Sequence, residues 1–163
     1  MMSRVPPTLC TYTIPRQVLE ETGELLRESG LQGFEAVVLW VGTVDDETSA
    51  TVRAAVRPGQ TAIRGDQGCA VEVPPDALSA LISALPHGLF VLARLHTHPG
   101  EAYHSPVDDT NMLIAHEGAL SIVVPRFARA RLDLLACSVN ELRSTSGWRE
   151  LGVDEVDRRF LIS

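Results

Sequence analysis

The chain has 163 residues, 45% hydrophobic and 21% charged, with a formal net charge of -7, which suits a single soluble domain large enough to bury a core of its own. The acidic balance argues against a nucleic-acid binder, which would show a basic face, and no apolar run approaches the roughly 18 residues of a membrane span. The opening MMSRVPPTLCTYTIP lacks the apolar segment of a signal peptide, and Cys10, Cys69 and Cys137 are scattered without a CxxC pair, so the expected setting is the reducing cytoplasm with ordinary thiols.

Residues 1–14 form a loose N-terminal segment. From 15 to 29, Val18, Leu19, Thr22, Leu25 and Leu26 recur at helical spacing, and Gly30 can end the helix. FEAVVLWVG (34–42) is rich in valine and aromatics and reads as a buried strand with Glu35 at its front. TVDDETS is a turn, ATVRAAVRP alternates like a partner strand, GQTAIRGDQG is a polar loop, and CAVEV is a short strand. PPDALSALISALPHG is a proline-led helix with an apolar face of Leu78, Leu81, Ile82 and Leu85. LFVLARLHTHP is a strand ended by Pro99, and Ser105 is placed to N-cap a helix through about residue 117. ALSIVVP and RLDLLACSV follow as strands, and the tail from 146 to 163 is mixed. Hairpins and helical crossovers both appear in this order, so the expected class is α/β, with a mixed sheet flanked by helices.

RLHTHPGEAYHSPVDD (94–109) holds three of the five histidines. Such groups are costly to bury unpaired, so they are either solvated or bound. His96 and His98 stand two apart on a predicted strand, and a period of two puts both imidazoles on one face. Neutral imidazole is a common metal ligand. An aspartate at the start of the following helix could complete a set of two histidines and one carboxylate, with a fourth position open for water as in catalytic zinc sites. Glu35 is a carboxylate at the front of an otherwise apolar strand: it is either solvated at the strand's end or part of the same chemistry.

Glu35, then His96-Thr97-His98-Pro99, then Ser105-Pro106-Val107-Asp108 resembles the signature of the JAMM (MPN-plus, JAB-domain) metalloprotease family, over a stretch from about residue 15 to 137. The resemblance implies a single MPN-like (cytidine-deaminase-like) catalytic domain over 15–145, with 146–163 as a tail packed on it. It implies Zn²⁺ held by His96, His98 and Asp108, Glu35 as general base and then acid, and Ser105 as donor to the oxyanion. One spacing departs from the family. Seven residues usually separate the second histidine from the serine, and ten separate it from the aspartate. Counted from His98, that rule lands on Pro106 and Asp109, whereas the S-x-x-D relation selects Asp108. Asp108 is preferred because it shares one helix start with Ser105, and Asp109 is the alternative.

Family members cleave after the C-terminal Gly-Gly of ubiquitin or ubiquitin-like proteins. The resemblance therefore implies a ubiquitin-like tail as partner, with activating-enzyme-like and conjugating-enzyme-like proteins as further partners. The short chain resembles stand-alone bacterial members, found in antiviral defence operons among other settings; others process sulfur carriers of the ThiS type. All fourteen basic residues are arginine, which a GC-rich genome explains and which would also spare a deconjugating enzyme from modification on lysine. A metal-free MPN scaffold would have lost the histidines or the aspartate, and a nucleobase deaminase would need a CxxC that is absent. The remaining histidines have plainer readings: His104 as a solvated loop residue, His87 in a turn, and His116 late in the helix. Glu101 and Tyr103 belong to the loop, where either could line a groove, and Trp40 and Trp148 read as core or tail packing.

Overall fold

A computed structural model describes residues 4–66, 68–105 and 114–163. Ten strands and three helices occur among them: β1 (Thr11–Ile14), α1 (Arg16–Gly30), β2 (Val37–Val44), β3 (Ser49–Val56), β4 (Thr61–Gly65), β5 (Gly68–Glu72), α2 (Pro75–Ala84), β6 (Leu89–Thr97), β7 (Leu120–Val124), β8 (Ser138–Arg143), β9 (Gly147–Glu150), α3 (Val153–Arg159) and β10 (Phe160–Ile162). Eight strands form one sheet in the order β10-β1-β3-β2-β6-β7-β8-β9, and β4 pairs with β5 as a separate hairpin. The sheet is mixed, as expected: β6 runs antiparallel to β2 and parallel to β7.

Alternation along the central strands sends side chains to two different cores. Val38, Trp40 and Leu95 join the larger core with Val18, Leu19 and Leu26 of α1 and Val156 of α3. Burying each of those leucines contributes about 1.5–3 kcal/mol. Trp40 is fully buried, and its indole N–H donates to Thr22 Oγ1 at 2.9 Å, so a polar atom in the core is satisfied. Val37 and Leu39 point to the opposite face, where Val73, Leu78 and Leu81 cover them. Helix α2 lies lightly there: it has no fully buried residue, and Ile82 is exposed rather than packed.

Four expectations need correction. The strand predicted at 34–42 is shifted to 37–44, leaving Glu35 in the segment that leads into it. GQTAIRGDQG is not a loop throughout, since its Thr61–Gly65 pairs with Gly68–Glu72. This hairpin escapes a burial-based reading because β4 is exposed along its whole length. RLDLLACSV begins as a 3-10 turn at Leu134–Ala136, capped by Asp133 accepting from the Leu135 N–H, and the strand starts only at Ser138. The helix predicted from Ser105 to about 117 lies largely over 106–113, outside the described residues. His116 is in a bend rather than a helical last turn, and the Ala119 N–H donates to its carbonyl at 3.0 Å.

The tail is stitched to the sheet by charge. Glu141 on β8 is fully buried and ion-paired to Arg143, to Arg149 at 3.5 Å and to Arg159 at 2.5 Å, while Arg159 Nε donates to the Cys10 carbonyl at 2.7 Å. Hydrogen bonds from Arg149 and then Arg159 hold the Glu155 carboxyl at a pKa of about 2, against an ordinary 4.5. Because the folded value is depressed, this contribution is complete above pH 4.5 and is lost as pH falls toward 2. Melting temperature is therefore expected to drop across that window, and Glu155→Gln should flatten the drop. An unchanged pH slope in the variant would remove Glu155 from the account.

Candidate active site

Extending β2 backwards explains where Glu35 goes. The chain leaves α1 through Gly33, whose φ of 77° lies in the left-handed region that favours glycine. It then runs alongside β6, where Val37 pairs with His96. One step earlier, the Thr97 N–H donates to the Ala36 carbonyl at 3.2 Å and the Ala36 N–H donates to Thr97 Oγ1 at 3.1 Å. Glu35, one residue earlier still, is half-buried and lines the same cleft as His98. On the far side of Val37, the Gln60 amide acts as a substitute strand: its oxygen accepts from the Val37 N–H at 2.8 Å and its Nε2 donates to the Val37 carbonyl at 2.9 Å. Gln60 immediately precedes β4, so the same amide roots the hairpin beside the site.

His96 and His98 are 5% and 6% exposed, and their Nε2 atoms lie 3.3 Å apart with ring planes at 63°. Two nitrogens bound at 2.0–2.1 Å to one tetrahedral zinc would be separated by about 3.3 Å, which matches the spacing of this pair. The backbone below His98 is pinned twice, since its N–H donates to the Val124 carbonyl at 3.0 Å and its carbonyl accepts from the Phe127 N–H at 2.9 Å. Phe127 belongs to a turn in which Arg126, Phe127 and Ala128 all have φ between 52° and 55°. Left-handed backbone costs non-glycine residues about 1–2 kcal/mol each. The turn directs the N–H groups of Arg126 and Phe127 to the carbonyls of Gly100 and His98.

A cleft of about 710 Å³ gathers Glu35, His96, His98, Tyr103 and Ser105, with Ile63, Cys69 and Val71 of the hairpin as its other wall. The Tyr103 ring meets His98 edge-on at 4.7 Å. The fold thus brings together four of the five predicted site residues. The fifth, Asp108, and its alternative Asp109 lie outside the described residues, and among the described residues no group of three ligating side chains converges on one metal position. A larger hollow of about 840 Å³ between α2 and the start of β6 is lined mainly by apolar groups such as Leu78, Ile82 and Phe90.

Arg94 has no assigned role in the sequence reading. It is 3% exposed, its Nε donates to Ser121 Oγ at 3.0 Å, and its guanidinium carbon lies 5.6 Å from the centre of the Trp148 ring. Period two was the available signal, because Arg94, His96 and His98 fall on one face. Nor is His104 simply solvated: it is partly buried, and its ring lies 5.0 Å from that of Trp148. Trp148 therefore packs against the site loop. The three cysteines are free thiols, and burial, with Asp133 adding to it, pushes the Cys137 thiol up to about 12, which keeps it protonated and inert.

No protein-family model matches the chain. It is 37% identical over 154 residues to the probable metalloprotease y4jG of Sinorhizobium fredii, covering 94% of each protein. Two solution structures share the fold: protein DSY2949 from Desulfitobacterium hafniense (TM-score 0.61, 18% identity, 94% of this chain and 93% of that one) and a protein from Salinibacter ruber (TM-score 0.56, 20% identity, 85% and 88%). Among the described residues no helix is long and apolar enough to cross a membrane.

Proposed function

The chain belongs to the family of the probable metalloprotease y4jG, and on that premise we propose that it is a zinc-dependent peptidase of the JAMM type. The observation that carries the reading is the convergence of His96 and His98 Nε2 at 3.3 Å in one cleft with Glu35 and Ser105. His96, His98 and Asp108 would hold the ion. When bound, zinc supplies a Lewis acid that brings the pKa of water down toward about 7. Glu35 takes the proton of the attacking water and delivers it to the leaving amine, as base and then acid. Ser105 donates a hydrogen bond to the carbonyl oxygen as negative charge builds on it; losing one such donor typically costs about 10²–10³ in rate.

The proposed substrate is the Gly-Gly tail of a ubiquitin-like protein, cleaved at an isopeptide or peptide bond. A narrow cleft walled by a hairpin suits an extended chain of small residues, held by strand-like pairing. The test is cleavage of Gly-Gly-linked fusions by the zinc-loaded chain. A ubiquitin-like fusion and a ThiS-type sulfur-carrier fusion form separate arms, and a chelated sample is the control. Cleavage of neither fusion at full zinc occupancy would refute the substrate class.

The third ligand is open to a direct experiment. Asp108→Ala is expected to lose bound zinc and Asp109→Ala to keep it, measured as metal per chain after dialysis. The reverse pattern would move the ligand to Asp109, and with it the register of the motif.

A further inference from the structure

Tyr103 and His104 are consecutive, yet their rings part company. Tyr103 packs on His98 in the cleft, while His104 packs on Trp148 of β9. Ser105, the next residue, returns to the cleft lining with Tyr103. The Trp148 contact thus falls on the one residue of the three that does not line the cleft. We propose that Trp148 is a positioning residue for Ser105, acting through His104; this rests on the reading of Ser105 as the oxyanion donor.

Trp148 is suited to the task because its own support is rigid. Beneath it lies the Arg94 guanidinium, from the strand and face that carry His96, tied to Ser121 on β7. The polar row continues across the sheet: Asn140 Nδ2 donates to Ser138 Oγ at 3.0 Å, and Ser138 Oγ donates to Glu150 Oε1 at 3.1 Å, two residues beyond Trp148. Arg94, Ser121, Ser138 and Asn140 are each no more than 3% exposed. Burying that many polar groups on one sheet face is tolerable only when they are bonded, and bonded they make a stiff base. A slip of one residue in the loop would put Ser105 or Tyr103 in the place of His104 and carry Ser105 out of its own, and a donor misplaced by 1 Å can cost about 10²-fold.

The experiment compares the full chain with Trp148→Ala, Trp148→Phe and His104→Ala, each checked by circular dichroism. The first readout needs neither metal nor activity: amide hydrogen exchange over residues 99–105 should quicken in Trp148→Ala and in His104→Ala and stay slow in Trp148→Phe. In the zinc-loaded proteins, kcat on the Gly-Gly fusion should fall by about 10–100-fold in Trp148→Ala, with zinc content and KM near wild type, and recover in Trp148→Phe. In a Ser105→Ala background Trp148→Ala should cost nothing further, because both act through one group. Unchanged exchange in both alanine variants, or full additivity with Ser105→Ala, overturns the proposal. A zinc-loaded wild type that cleaves no fusion would sink the Gly-Gly substrate class separately, while the exchange comparison still decides whether Trp148 holds the loop.

Discussion

Glu35→Gln is expected to bind zinc at wild-type stoichiometry and to lose about 10²–10⁴-fold in turnover. Glutamine preserves the volume and a hydrogen-bonding carbonyl but cannot carry the proton from water to the leaving amine. The variant is informative because the residues next to Glu35 hold the segment through their backbone. Its backbone neighbours, Ala36 and Val37, make the hydrogen bonds to Thr97 and Gln60 that fix the segment, so the register survives the substitution. Metal per chain, thermal melting and steady-state cleavage together separate the outcomes. Undiminished turnover would remove Glu35 from the mechanism, and loss of zinc would make it a ligand or a ligand's partner instead of the proton carrier.

The second large effect concerns the metal itself. Either His96→Ala or His98→Ala should abolish stoichiometric zinc, a loss exceeding the roughly 10–100-fold in affinity that changing an outer hydrogen-bonding partner costs. His96 is buried on a strand paired on both sides, and His98, one residue past its end, is buried and held through its N–H to the Val124 carbonyl. The fold should persist without them, because the larger core lies on the opposite face of β6. A readout independent of cleavage follows from linkage: at zinc 100-fold above its dissociation constant, binding stabilises the wild type by about 2.7 kcal/mol, visible as a rise in melting temperature. Neither histidine variant should show that rise. A full zinc-dependent shift in His98→Ala would mean that the ion sits elsewhere.

Short-range regularities carried much of this molecule. Helical spacing locates α1 and α2, apolar runs locate β6 and β7, and a period of two puts His96 and His98 on one face. Errors cluster where burial is low or where local signals compete. In the hairpin, β4 reads as loop because it is exposed along its whole length, whereas half-buried β5 reads as a strand. The short strands β1, β9 and β10 have only four, four and three residues, too few for periodicity to register.

The chemistry of the candidate site was written in the chain: which residue types, in which order, and a pair of histidines whose spacing alone fixes their common face. Their surroundings were not, because they depend on contacts between distant segments. Antiparallel pairing of β2 with β6 brings the segment of Glu35 to the cleft that His96 and His98 line. The Gln60 amide, standing in for a strand, roots the hairpin wall beside them. Trp148, from the far edge of the sheet, reaches the loop of Ser105 through His104, with Arg94 beneath it. Backbone pairing and side-chain packing between residues tens of positions apart leave no periodic trace in sequence. Folding therefore decided how the groups meet, while the sequence had already decided which groups they are.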